Sequence, residues 1–208
     1  EPFKVFYDYK KEGIWQLGEE AAAAANGQEP GDIKVQDVDG NGVITTDDRI
    51  IYSQRPDVTF GFNNTFNYKG FDLSVFLYAR LGQWIAYDYN TTYRINALEN
   101  GGNVDYWTPE NPTNAFPRPN KSKSYTQVTY YSTLKYEDGS FFKIRDITLG
   151  YTFKPELLKH LNLSRLRVYA TAKNFFTFSK IDNYDPEQGG SISFPMTKQL
   201  VFGLNVEF

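Results

Sequence analysis

From residue 58 onward, apolar and polar side chains alternate one by one in long stretches. In 58–68, Phe60, Phe62, Phe66 and Tyr68 fall on one face, with Asn64 the exception; Thr59, Gly61, Asn63, Thr65 and Asn67 fall on the other. Alternation with period two over this length predicts a strand. Lys69-Gly70 marks a tight turn. Residues 71–82 then alternate again, Phe71, Leu73, Val75, Leu77, Ala79 and Leu81 against Asp72, Ser74, Phe76, Tyr78 and Arg80. The two segments predict a hairpin with long arms. In 141–153 the parity flips: Phe142 and Ile144 are apolar on even numbers, Ile147, Leu149, Tyr151 and Phe153 on odd ones. One extra residue reverses the facing of a strand, so a β-bulge is predicted at Arg145-Asp146. Residues 155–164 hold at most one helical turn. Residues 166–178 alternate once more, and 199–208 end with Leu200, Phe202, Leu204, Val206 and Phe208 on one face.

About five long strands result, joined by connections that are alternately short (69–70, 154–165) and long (1–57, 83–139, 179–196). A soluble sandwich gives no reason for that alternation. A transmembrane barrel does, because its turns are short on one side and its loops long on the other. About 9–11 tilted residues cross a bilayer core, and each segment is long enough. The competing all-β reading is a sandwich such as a carbohydrate-binding module, whose strands bury the apolar face against a second sheet and alternate in the same way. Five strands cannot close a barrel, and an open edge in lipid leaves amides and carbonyls unpaired at a cost of several kcal/mol each. Membrane strands here would therefore be part of a larger barrel, with Glu1 a break point and not a natural beginning.

Composition narrows the function classes. The chain has 208 residues and a net charge of −3, with no basic cluster, which gives no expectation of a nucleic-acid partner. Cysteine is absent, which removes disulfides, zinc-thiolate sites and cysteine nucleophiles. The single histidine, His160, lies in LLKHLNLS and reads as a turn residue. No GxSxG, HExxH or phosphate loop occurs, so an enzyme is not expected. The longest apolar run is far below the ~18 residues of a membrane helix.

One stretch carries recognisable chemistry. Residues 37–48, DVDGNGVITTDD, place oxygen-bearing side chains at the first, third, fifth, ninth and twelfth positions and glycine at the sixth, the spacing of a calcium loop. Asp37, Asp39 and Asn41 supply side-chain oxygens, Val43 its carbonyl, Thr45 a direct or water-mediated contact, and Asp48 closes the loop. Gly42 permits the sharp turn, and Ile44 occupies the place where an apolar residue tucks inward. Asp at the twelfth position has a shorter reach than the usual Glu. Upstream, QEPGDIKVQ reads as extended, and no second loop follows. The expectation is a structural Ca2+ that orders a long loop; the alternative is an Asp/Asn/Gly turn cluster without an ion. The run AAAAA at 21–25, ended by Asn26-Gly27, predicts a short helix serving as a spacer.

Aromatics gather in the second long connection. Trp84, Tyr87, Tyr89 and Tyr93 are candidate substrate-stacking residues, set against ordinary packing and interface anchoring. Trp107 in WTPENP reads as structural.

The runs PGDIKVQDVDGNGVITTDDR, FGFNNTFNYKGFDLSVFLYA, YWTPENPTNAFPR, SFFKIRDITLGYTF, LRVYATAKNFFTF with NYDPE, and the closing GLNVEF together resemble the C-terminal part of SusC/RagA-type TonB-dependent outer-membrane transporters, over essentially the whole chain. The resemblance implies the last strands of an antiparallel barrel of about 22 strands, a size class with a plugged lumen. It implies residues 1–57 as an outer loop carrying the calcium loop, 58–208 as the last five strands with outer loops 83–139 and 179–196, and a plug absent from this chain. It further implies import of oligosaccharides or peptides with a SusD-like surface lipoprotein, coupling to TonB through the missing N-terminal part, and a location in outer-membrane lipid. The alternative function is a secreted, calcium-stabilised soluble β-sandwich that binds glycans; a hydrolase would need clustered carboxylates in a cleft.

Overall fold

A computed structural model describes residues 4–96 and 101–208. The start at Glu1 and the Asn100 of NGGN in the second long connection lie outside the described residues. In chain order the elements are β1 (Val5–Tyr9), β2 (Lys11–Ile14), α1 (Glu20–Ala25), β3 (Ile33–Val35), β4 (Arg49–Ser53), β5 (Val58–Tyr68), β6 (Phe71–Leu81), β7 (Trp84–Ala86), β8 (Tyr136–Asp138), β9 (Phe141–Thr152), α2 (Pro155–Leu158), β10 (Arg165–Ser179) and β11 (Gln199–Glu207). They form two compact units: 56–83, 139–188 and 193–208 in one, and 1–55, 84–138 and 189–192 in the other.

The first unit is one antiparallel sheet in the order β11-β10-β9-β6-β5. Its strands stand where the alternation predicts them. Register aligns the apolar positions into rows: Phe66 lies beside Leu73, Leu73 beside Leu149, Leu149 beside Ala170 and Ala170 beside Phe202, across all five strands. In a soluble protein such a face would be the core. Here it is open: Phe66 is 60% and Phe202 76% exposed. Soluble monomers rarely expose a contiguous apolar patch larger than a few hundred Å².

The parity flip in β9 is a bulge at the predicted place. Phe76 faces Asp146 and Leu77 faces Ile144, so Arg145 is the extra residue. On the other side Lys173 faces Asp146 and Phe176 faces Ile144, leaving Asn174 and Phe175 opposite Arg145. Asn174 takes a left-handed backbone, φ 59°, which Asn tolerates better than most residues. The bulge keeps both apolar halves of β9 on one face.

Antiparallel order also sorts the connections. The Lys69-Gly70 turn and the α2 segment leave one end of the sheet; the long connections all join at the other, at Val58, Leu81, Phe141, Ser179 and Gln199.

The second unit consists of the first two long connections together with residues 189–192 of the third. The connection 1–57, expected as a loop, contains two short ladders among its described residues, β1 with β4 and β2 with β3, and β7 pairs with β8 in the next connection. Ile14, Ile33, Val35, Trp107 and Leu134 form a common core. Trp107 of WTPENP is buried, and its indole N–H donates to Gln16 (2.8 Å). The alanine run is more than a spacer. Ala23 is fully buried, and Asn26 at the C-terminus of α1 accepts the Ile44 N–H at 3.0 Å.

Candidate functional site

The 37–48 segment folds as a tight turn held by its own carboxylates. Asp37 accepts from the N–H groups of Gly40 and Gly42, both at 2.7 Å. Both glycines have positive φ, +73° and +84°, where a Cβ would be strained. Asp39 accepts from the Asn41 N–H at 3.0 Å, and the Asn41 side-chain Oδ1 accepts from the Val43 N–H at 2.8 Å. Asp48 reaches back across the loop: its two oxygens accept from Val38 (2.8 Å) and Thr45 (2.7 Å). Thr45 caps the short 3-10 turn Thr46–Asp48, with its hydroxyl accepting from the Asp47 N–H. The sequence folds this way because short Asp and Asn side chains mimic backbone acceptors in turns.

One oxygen each from Asp37, Asp39 and Asp48 lies within 4.8 Å of the others. Asp48 is fully shielded from solvent. The Thr45 N–H, chiefly, holds its carboxyl below the usual aspartate range, with the Val38 and Asp39 N–H groups adding to the effect. An ionised carboxylate offers about four lone-pair sites, so these N–H bonds leave capacity for a hard cation. Asn41 belongs to the same turn, and Val43 is exposed at its tip. Ile44 packs against the core of the unit. The donor set is all oxygen, which suits calcium and not a soft metal. The loop joins β3 to β4 rather than two helices.

The aromatic candidates separate by burial. Tyr87 and Tyr93 are 5% and 6% exposed. Tyr93 donates to the Pro117 carbonyl at 3.0 Å and packs on Phe116. Stacking on a sugar needs an open ring face, which Tyr87 and Tyr93 do not present in this structure. Trp84 packs edge-on against Tyr52, and Tyr89 stacks on Tyr87; both keep part of their surface. Burial, with Asp8 nearby, raises the Tyr52 phenol well above its ordinary value, so it stays neutral and donates to the Tyr9 carbonyl at 2.8 Å.

The polar face of the sheet carries charge that alternation alone did not single out. Arg167 of β10 reaches over Gly150 of β9 to Asp72 of β6, with bonds of 2.9 and 2.5 Å. A Cβ at Gly150 would meet both partners at 2.5 Å. Lys143, with a side chain 0% exposed, pairs with Asp185 at 2.6 Å and Glu187 at 2.7 Å, and Arg145 pairs with Glu187 at 3.1 Å. NYDPE is thereby fastened to the sheet. Among the described residues the sheet thus has an apolar face outward, a charged face opposite and two free edges, and is not closed on a core of its own.

No protein-family model matches the chain. Among curated proteins it is 31% identical to the TonB-dependent receptor P3 of Formosa agariphila, over 98% of this chain and 22% of that protein. It is 31% identical to the TonB-dependent receptor SusC of Bacteroides thetaiotaomicron, over 83% of this chain and 17% of that protein. Among solved structures it resembles the RagAB peptide transporter, with TM-score 0.71 and 23% identity over 99% of this chain and 23% of that one. It also resembles the RagAB peptide importer in an open-open state, with TM-score 0.67 and 25% identity over 98% of this chain and 22% of that one. The chain belongs to the TonB-dependent receptors of the SusC/RagA type. It spans about a fifth of the length of the curated relatives it matches, 22% and 23% of the first two.

Proposed function

We propose that the chain is the C-terminal wall of an outer-membrane, TonB-dependent importer of oligosaccharides or peptides. The observation that carries this reading is the apolar row exposed across five strands, in a chain similar along its length to TonB-dependent receptors. In lipid that face is solvated by hydrocarbon, and the charged face lines an aqueous lumen. The outer strands β5 and β11 each have one unpaired edge. Pairing those edges with the N-terminal remainder closes a barrel of about 22 strands around a plug. The end bearing the long connections faces outward, where a SusD-like lipoprotein would meet it; TonB acts through the N-terminal part. Trp84 and Tyr89 are the remaining aromatic candidates for substrate contact.

In the same reading Ca2+ sits between Asp37, Asp39, Asn41, Val43, Thr45 and Asp48, relieving repulsion among three carboxylates. Extracellular sites often bind at about 10⁻⁴–10⁻³ M. Its role is to order the segment between β3 and β4, not to switch it.

The test is recovery and uptake. The full-length receptor should extract only in detergent and support uptake that stops when TonB is deleted. A chain soluble without detergent as a monomer would replace this reading with a secreted, calcium-stabilised glycan-binding module.

A further inference from the structure

β10 is longer than its partner. β11 pairs with Arg165–Lys173 and begins at Gln199, while β9 pairs with β10 through Ser179. Among the described residues no strand covers Asn174–Ser179 on the β11 side. Their backbone groups make no hydrogen bond outside the strand ladders. An uncovered edge presents N–H and C=O groups that bind extended chain.

A cavity of about 460 Å³ lies against this edge, between Phe175 and Thr177 of β10, residues 181–185, and the return segment at Pro195, Met196 and Lys198. That is within the usual range for ligand sites. Two of its charges are uncommitted: neither Asp182 nor Lys198 forms an ion pair among the described residues, and Lys198 rests over the Phe175 ring at 6.0 Å. Asp185 is already satisfied by Lys143 and Thr177. The cavity thus combines a backbone edge, one acid and one base.

The geometry points to a peptide groove, in which an extended peptide adds as a strand to β10 at 174–179 and meets Lys198 and Asp182 with charges of opposite sign. The edge favours a peptide over a glycan for a geometric reason. From Phe176 to Ser179 its N–H and C=O pairs recur at every second residue, roughly 6.8 Å apart. A peptide main chain has the same repeat, and a chain of sugar rings does not. This inference rests on the import reading and narrows its substrate to peptides.

The experiment uses the full-length receptor in detergent, offered a tryptic digest of serum albumin and, separately, maltoheptaose. Retained peptides are identified by mass and resynthesised with N-methyl groups on alternate residues, in each of the two registers. The expected result is peptide retention without glucan retention. N-methylation in one register should weaken binding at least about tenfold, as loss of two or more hydrogen bonds would, and the other register should be tolerated. Asp182→Lys and Lys198→Glu should each weaken it as well. The amides of 174–179 that do not bond β9 should exchange freely in the empty receptor and become protected with peptide. Retention of glucan alone, indifference to both methylation registers, or protection of the amides on the β11 side of 174–179 before peptide is added would each overturn the groove. In the last case the receptor's own remaining chain covers the edge. Loss of detergent dependence and of TonB-dependent uptake would overturn the import reading, and the groove with it.

Discussion

Asp37 and Gly203 show how much single positions decide here. Asp37 accepts two loop N–H groups and offers oxygen to the predicted cation. In Asp37→Ala both functions vanish. Calcium affinity, measured by calorimetry on the full-length receptor, should fall by at least about tenfold, the loss that even an outer-shell change can cause. Exchange across 30–57 should rise, and chelation should do the same in the parent. Equal calcium affinity in parent and variant would remove the site. Gly203 faces Tyr169 across β10–β11, and a Cβ there would collide with the tyrosine ring. Gly203→Val should destabilise by about 1–3 kcal/mol through overpacking, read as a lower unfolding temperature on heated gels. Combining it with Tyr169→Ala should restore most of the loss; no restoration would mean that the ring is not what the glycine accommodates.

Among the elements, the β9 bulge and the 180–188 segment act together. Arg145, two residues on from Lys143, lies on the same side of the strand, and both meet Glu187. Lys143 is shielded from water, so its charge is tolerable only because Asp185 and Glu187 balance it. Lys143→Met leaves Asp185 without its cation. Removing one partner of a buried pair costs about 3–5 kcal/mol, and here the loss should fall locally. Protease should cut 180–198 much faster in the variant while the rest of the sheet resists. Uniform resistance would mean that the ion pairs do not hold this segment.

At the scale of the whole molecule, the sheet has two unlike sides. Leu204 lies on the exposed apolar face and Asn205 on the opposite one. Leu204→Arg should lower barrel stability by about 2–4 kcal/mol if it lies near the bilayer midplane, whereas Asn205→Arg should be tolerated. Denaturant titration of the full-length receptor in lipid distinguishes the two. Equal tolerance would contradict a lipid-facing sheet. Reversed tolerance would put the apolar face inside a soluble core.

The strands, the bulge and the turn chemistry of 37–48 were legible in the linear order of residues because each is local: a period of two, a parity break, and acceptors spaced along one loop. Phe60 and Phe62 announce a strand whatever surrounds them. Local pattern cannot say whether an apolar face is covered by its own chain, and the exposed rows through Phe66 and Phe202 show that the described residues leave it open. The shared core of the long connections was likewise invisible. Ile14, Val35, Trp107 and Leu134 come from segments far apart in the chain, and each ladder there is too short to show a period. Burial of Tyr87 and Tyr93, the reach of Arg167 over Gly150, and the uncovered edge at Asn174–Ser179 all depend on which strand lies beside which. Those neighbours are set by register and packing between distant residues, and a one-dimensional pattern carries no distance between them.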